Sequence, residues 1–239
     1  MIKEGLYKNF AKYYDSVYSQ KKYQKEVSFI DKIIKKHTKG KDVLDVACGT
    51  GSHARLLEKK GYNVLGIDKN KKMLDIAKHK TKNTIFRQGD MRTFSLKRKF
   101  DAVLCMFTAI NYNTSHADLK RSLINFKNHM KEDSVLIFDF PLPGVTMKSI
   151  INHATFIDKD SVVLYTNKDI KGLRDILIYW IIKKGKKIEV FEDGHTIKFY
   201  NLEEFGSVIN QIGLKHKLYW DFSLRKKKGK RPVIVCWKS

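Results

Sequence analysis

Val43-Leu44-Asp45-Val46-Ala47-Cys48-Gly49-Thr50-Gly51 is the stretch that decides the fold. A short apolar run reaches a carboxylate, Asp45, and then turns through Gly49 and Gly51. Glycine has no side chain to hold a ligand off the backbone, and it tolerates the dihedrals of a tight strand-to-helix turn. A glycine turn alone is common to nucleotide-binding proteins of many kinds. Its neighbours narrow the reading: Asp68 closes the next apolar run, Val64-Leu65-Gly66-Ile67, and Asp90 follows a third, Thr84-Ile85-Phe86.

Carboxylates at the ends of three successive strands share one crevice, at the carboxyl edge of an open sheet. A pyrophosphate is poorly served there, because it seeks positive partners and free amide N–H groups. A ligand with an ammonium group, a ribose diol and an adenine amino group donates hydrogen bonds at all three points. S-adenosylmethionine (SAM) is such a ligand. Any one aspartate could instead cap a helix or a turn, but strand-end register for all three argues for a shared pocket.

Outward from this stretch the chain alternates. Residues 21 to 37 repeat Val27, Ile30, Ile33 and Ile34 at helical spacing, and strand, helix and strand follow over 43–47, 52–60, 63–67, 71–79 and 84–88. Phe100 to Met106 reads as a buried strand, 117 to 131 as a helix and Ser134 to Phe140 as a fifth strand, before Pro141, Pro143 and Gly144 break regular structure. From 152 to 200 the texture becomes β-branched, aromatic and charged. There Ile176–Lys183 and Ile188–Phe191 form a hairpin about Lys184-Gly185-Lys186, with Ile197–Tyr200 as a further strand. Asn201-Leu202-Glu203-Glu204-Phe205 opens a capped helix that Gly213 ends, and Leu214–Phe222 pairs with Pro232–Trp237.

The expected fold is therefore α/β: a Rossmann-like doubly wound sheet of about seven strands with an inserted antiparallel β lid. Residues 1–150 and 201–239 would make the SAM-binding core, and 151–200 a lid or substrate platform over the same carboxyl edge. A structural insertion or a dimer interface is the alternative for that segment.

Asp45-Val46-Ala47-Cys48-Gly49-Thr50-Gly51, Gly66-Ile67-Asp68, Gln88-Gly89-Asp90-Met91 and Phe100 to Phe107 strongly resemble, in order and spacing, the successive motifs of class I SAM-dependent methyltransferases. The match covers roughly residues 10 to 140. Within that class, Phe10 to Tyr18 and Met106 to Ile110 look like nucleotide-linked amino-sugar N,N-dimethyltransferases and glycine N-methyltransferase-like enzymes. The resemblance implies that Asp45 and the Ala47-Cys48-Gly49-Thr50-Gly51 turn hold the methionine part. It gives Asp68 the ribose hydroxyls and Asp90 the adenine amino group, with Met73 and Met91 flanking the adenine ring, and it places Lys69 and Gly89 in the cofactor-binding set. Met106 joins this cofactor set. Tyr14 matches the motif tyrosine of a helix that folds over the cofactor. Asn111 and Tyr112 lie on the loop that faces the transferred methyl, so Tyr14, Asn111 and Tyr112 are the catalytic candidates. Packing is the alternative for Tyr14, and a cap and a staple aromatic for Asn111 and Tyr112. His116, His153 and His195 are further possible bases.

Composition bounds the rest. A chain of 239 residues, 42% hydrophobic and 31% charged, suits one folded core with a subdomain. No apolar run of about 18 residues predicts a membrane span, and Met1 to Tyr7 lacks the layout of a secretory signal. Cys48, Cys105 and Cys236 are odd in number and lie in or beside strand-like runs, which points to reduced thiols in the cytoplasm. No metal-ligand spacing is present. The net charge is +23, yet only eight of the 48 basic residues are arginine, the better phosphate grip, and the lysines are spread along the chain.

The activity expected is methyl transfer to an amine or hydroxyl of a small molecule, with a sugar nucleotide among the candidates, by a monomer or homodimer. Nucleic acid is the less favoured partner, because the Met106-Phe107-Thr108-Ala109-Ile110-Asn111 segment has neither the Asn/Asp-Pro-Pro-aromatic box nor the Pro-Cys pair of base-directed enzymes. The alternatives are an RNA methyltransferase that uses the basic surface, and a non-catalytic SAM-binding regulatory subunit.

Overall fold

Strands buried on both faces read as continuous apolar runs, and the centre of this protein is built from them. The computed structural model describes residues 3–5, 11–142, 153–170 and 173–238. Phe10, Pro143 and Gly144, which the sequence reading used, lie outside the described residues.

In chain order the elements are β1 (Lys3–Gly5), a 3-10 turn (Ala11–Tyr13), α1 (Tyr14–Val17), α2 (Tyr23–His37), β2 (Asp42–Val46), α3 (Ser52–Lys59), β3 (Asn63–Asp68), α4 (Lys71–Lys80), β4 (Ile85–Gln88) and β5 (Phe100–Cys105). A second 3-10 turn (Ala109–Tyr112), α5 (His116–Asn128) and β6 (Met130–Asp139) complete the first half. Then follow β7 (His153–Asp158), β8 (Ser161–Ile170), β9 (Leu173–Lys184), β10 (Lys187–Lys198), α6 (Leu202–Gln211), β11 (Leu214–Trp220) and β12 (Pro232–Lys238).

Seven strands form one sheet in the order β11-β12-β6-β5-β2-β3-β4, parallel except for β12. From β2 the chain moves outward to β3 and β4, then returns to lay β5 and β6 on the other side. The switch point between β2 and β5 opens a crevice at the carboxyl edge, where ligands of such sheets bind. One face packs on α2 and α3 through Val27, Ile30, Ile34, Ala54 and Leu57; the other packs on α5 and α6 through Leu119, Leu123, Phe126, Phe205 and Ile209.

A second sheet runs β1-β10-β9-β8-β7, antiparallel except that β1 lies parallel to β10. On β9 the alternation Ile176, Ile178, Trp180, Ile182 is buried and clusters with Val163, Ile197 and Tyr13. This sheet is larger than the hairpin plus one strand that the sequence suggests. β10 stays paired with β9 out to Lys198, so Ile197–Tyr200 is not a separate strand. The expected helix 117–131 also stops early. Phe100 N–H donates to the His129 carbonyl at 2.8 Å and Phe100 pairs with Met130, so the sheet captures the chain there.

Candidate active site

The glycine turn departs from β2 with Ala47, Gly49 and Gly51 all at positive φ (55°, 55° and 73°). Its two glycines serve different ends. A Cβ at Gly51 would press on Ala77 of α4 and Phe86 of β4, so this glycine lets the turn pack down. At Gly49 a Cβ would meet nothing within 4 Å, because that backbone faces open space.

The open space is a cavity of about 1300 Å³. Asp45, Asp68 and Asp90 all line it, from the ends of β2, β3 and β4. Asp45 is buried, and its Oδ2 has no hydrogen-bond partner. Burial, with the like charge of Asp68 adding, pushes its carboxyl up to about 6. Asp68 is raised as well, by burial, although its Oδ2 accepts from Gly49 N–H at 2.8 Å and its Oδ1 from Asn70 N–H at 2.8 Å. Asp90 differs. Arg92 grips it with Nε at 2.8 Å and Nη2 at 2.6 Å, and that fork holds its carboxyl well below the usual range.

Ala47, Cys48, Gly49, Lys69, Met73, Gly89, Met91, Met106, Tyr14 and Tyr112 also line the cavity; Gly51 and Asn111 do not. Asn111 is a correction. It is wholly buried, and its amide donates to the Lys198 carbonyl at 2.6 Å, so it ties the second 3-10 turn to β10 instead of facing a substrate. Of the three histidines, His195 on β10 lines the cavity and meets the Tyr112 ring at 5.4 Å. His116 is exposed and bridges to Glu204 at 2.9 Å. The side chain of His153 lies outside the described residues.

Tyr14 is brought to the site by α1, whose Asp15 accepts from the Thr50 hydroxyl of the glycine turn at 2.7 Å. Sequence reading did not assign Tyr18, Phe107, Thr108, Ile176 and Arg231 to the site, and all five line the cavity. Phe107 and Thr108 hold φ of 59° and 60°, uncommon outside glycine, and both amides donate to Asp139, at 2.6 and 3.2 Å. Arg231 braces that carboxylate with Nε at 2.7 Å and reaches Glu26 at 3.1 Å. Only a fold that returns β12 beside β6 could reveal this pairing.

The residues fit SAM. An orphaned, buried carboxylate oxygen suits its ammonium, and the open backbone at Gly49 leaves room for its methionine part. A sequence profile described as a methyltransferase domain matches residues 43–133. The chain is 30% identical over 214 residues to dTDP-3-amino-3,6-dideoxy-alpha-D-glucopyranose N,N-dimethyltransferase of Streptomyces fradiae, covering 85% of this chain and 83% of that one. This chain belongs to the SAM-dependent methyltransferases. The methyltransferase is also 27% identical, over 82% of its length and 84% of the relative's, to dTDP-3-amino-3,4,6-trideoxy-alpha-D-glucopyranose N,N-dimethyltransferase of Streptomyces venezuelae. Its fold matches a SAM-dependent methyltransferase from Clostridium acetobutylicum with a TM-score of 0.84 at 24% identity, over 98% and 99% of the two chains. SAM is its cofactor.

Proposed function

We propose that this methyltransferase acts on the amino group of a sugar carried by a nucleoside diphosphate. The observation that carries the reading is the continuity of one cavity from the three aspartates to Tyr112, Ile176 and His195. At about 1300 Å³ it exceeds the roughly 300–1,000 Å³ of ordinary small-molecule pockets, which leaves space for a second large ligand beside SAM. The activities named for the Streptomyces relatives support the same acceptor class. In this reading residues 151–200 are the substrate lid, over a SAM-binding core of 1–150 and 201–239, with the strand Lys3–Gly5 added to the lid's sheet. Asp45 takes the SAM ammonium, Asp68 the ribose and Asp90 the adenine edge. The cytoplasmic placement rests on three free, buried thiols.

Bound SAM supplies a methyl group on a sulfonium, a centre already activated for in-line displacement. The chain's task is alignment and exclusion of water. Burial holds His195 down at about 4, so its imidazole stays neutral and orients the acceptor without retaining a proton. Burial raises Tyr14 well above its ordinary value, so it remains a phenol that can donate or accept. Neither group is basic enough to deprotonate an alcohol, whereas an amine that enters neutral, its proton left to solvent, attacks through its own lone pair and needs no base before the methyl is transferred. An amine is therefore the better acceptor.

Radiolabelled SAM incubated with dTDP-amino sugars should give labelled N-methyl product that depends on the free amine. Transfer to simple hydroxyl compounds, with none to any amino sugar, would overturn the proposal.

A further inference from the structure

The turn between β11 and β12 reads Arg225-Lys226-Lys227-Lys228-Gly229-Lys230-Arg231. A basic run in a surface turn is ordinarily a solvated one. Here the fold fixes it. The Asp221 carboxylate accepts from the amides of Lys230, at 3.2 Å, and Arg231, at 2.9 Å. A Cβ at Gly229 would overlap that same carboxylate as it now sits, so glycine lets the turn close on it. Asp221 and Phe222 adopt positive φ, 51° and 53°, to start the turn.

This construction brings Lys230 to the wall of the large cavity. Lys226, Lys227, Lys228 and Lys230 are exposed, and among the described residues none of them pairs with a carboxylate. Lys228 rests 6.0 Å from the Trp220 ring, which holds it along the turn. Arg231, in contrast, is committed to Asp139 and Glu26.

Sheet order then separates the charge. The aspartates stand on the β2-β3-β4 side of the carboxyl edge, and the basic turn stands at the β12 end, with β5 and β6 between them. Lys71 and Lys72 also reach the cavity, but from the acid-bearing side, and Lys69 there lies 3.5 Å from Asp90. On that side Lys69 and Arg92 are paired with Asp90, whereas the lysines of the turn pair with no carboxylate among the described residues, so the β12 end offers a dianion positive charge that no carboxylate offsets. Between the two poles lie Met106, Phe107 and Thr108, at the end of β5.

We propose that the Lys226–Lys230 turn is the diphosphate-binding rim of the acceptor site, with Lys230 at the contact and Lys226 to Lys228 supplying the field that recruits the anion. The inference rests on the sugar-nucleotide reading for the acceptor's identity, but the rim's affinity for a diphosphate can be measured without it. Thymidine diphosphate and inorganic pyrophosphate are titrated calorimetrically into the full chain holding S-adenosylhomocysteine, and into the variant K226A/K227A/K228A/K230A. The variant is expected to lose about tenfold in diphosphate affinity and to show a shallower salt dependence, with affinity for S-adenosylhomocysteine within about twofold of the parent. Lys230→Glu alone should lose more than Lys230→Ala.

Equal diphosphate binding by parent and variants would overturn the inference. So would a loss confined to RNA binding in a gel-shift titration, which would make the turn a nucleic-acid contact. Diphosphate binding that depends on the turn, in an enzyme that methylates no amino sugar, would retain the rim and discard the sugar reading.

Discussion

Asp45 carries a cost of burial that its neighbours only partly relieve. Its carboxyl sits at about 6, above the ordinary 3.9 or so, because burial penalises the charge more than nearby His53 relieves it, and Asp68 adds to the penalty. A carboxyl raised in the folded state adds stability below its unfolded pKa, and loses it as pH rises through about 6. Above that pH the ionised group costs roughly 3 kcal/mol in the free protein. Asp45→Asn should therefore raise the melting temperature of the cofactor-free enzyme at pH 7.5 while weakening SAM; a lower melting temperature would contradict the assignment. Asp68 behaves otherwise, since it also builds the turn. Asp68→Ala removes the acceptor for the amides of Gly49 and Asn70, and should weaken SAM by about tenfold or more in a binding titration. Unchanged affinity would count against its role. These aspartates were legible in sequence because a strand end followed by a glycine turn is a local pattern. Asn111 was misread for the converse reason: its partner, Lys198, lies 87 residues away.

The loop after β5 shows how an element depends on distant ones. Phe107 and Thr108 keep their left-handed backbone because Asp139, at the end of β6, accepts both amides, and Arg231, before β12, secures Asp139. Asp139→Ala leaves two amides and a guanidinium without that acceptor, which should cost roughly 3–5 kcal/mol in urea unfolding. Asp139→Asn keeps an acceptor and should lose less; equal losses would mean that the carboxylate merely fills space. Helices and parallel strands were readable from periodicity and caps, as with Asn201 and Glu204, whose reciprocal capping box opens α6. The start of β6 was not readable. Its first residues, Met130 to Asp133, pattern like a helix end, and a register shift between Phe100 and Ala102 admits them to the sheet. β7 and β8 escaped notice too: Val162-Val163-Leu164-Tyr165 is a continuous apolar run with no period of two in its sequence.

At the scale of the molecule, residues of both sheets line one cavity, with the three aspartates on the β2-β3-β4 side and the lysine turn at the β12 end. The doubly wound core was legible from the order of its motifs. The place of the lysine turn at the cavity was not, because a net +23 says nothing of where the lysines stand once β12 folds back beside β6. The burial of the thiols gives a check on the core as a whole. Cys105 and Cys236 are fully enclosed and Cys48 lines the cavity, and burial pushes all three thiols up. An aromatic disulfide reagent should leave Cys105 and Cys236 untouched in the native protein, and bound SAM should protect Cys48. Rapid labelling of Cys236 would mean that the β11-β12 pair is not packed as described.

The central claim is that the buried Asp45, one oxygen of which has no hydrogen-bond partner, receives the ammonium of SAM. Calorimetric titration of SAM at pH 5 and pH 8, in buffers of different ionisation heat, tests it. Binding should be about tenfold weaker at pH 5, should release close to one proton there, and should lose both effects in Asp45→Asn. Equal affinity at the two pH values, with no proton released, would contradict the account.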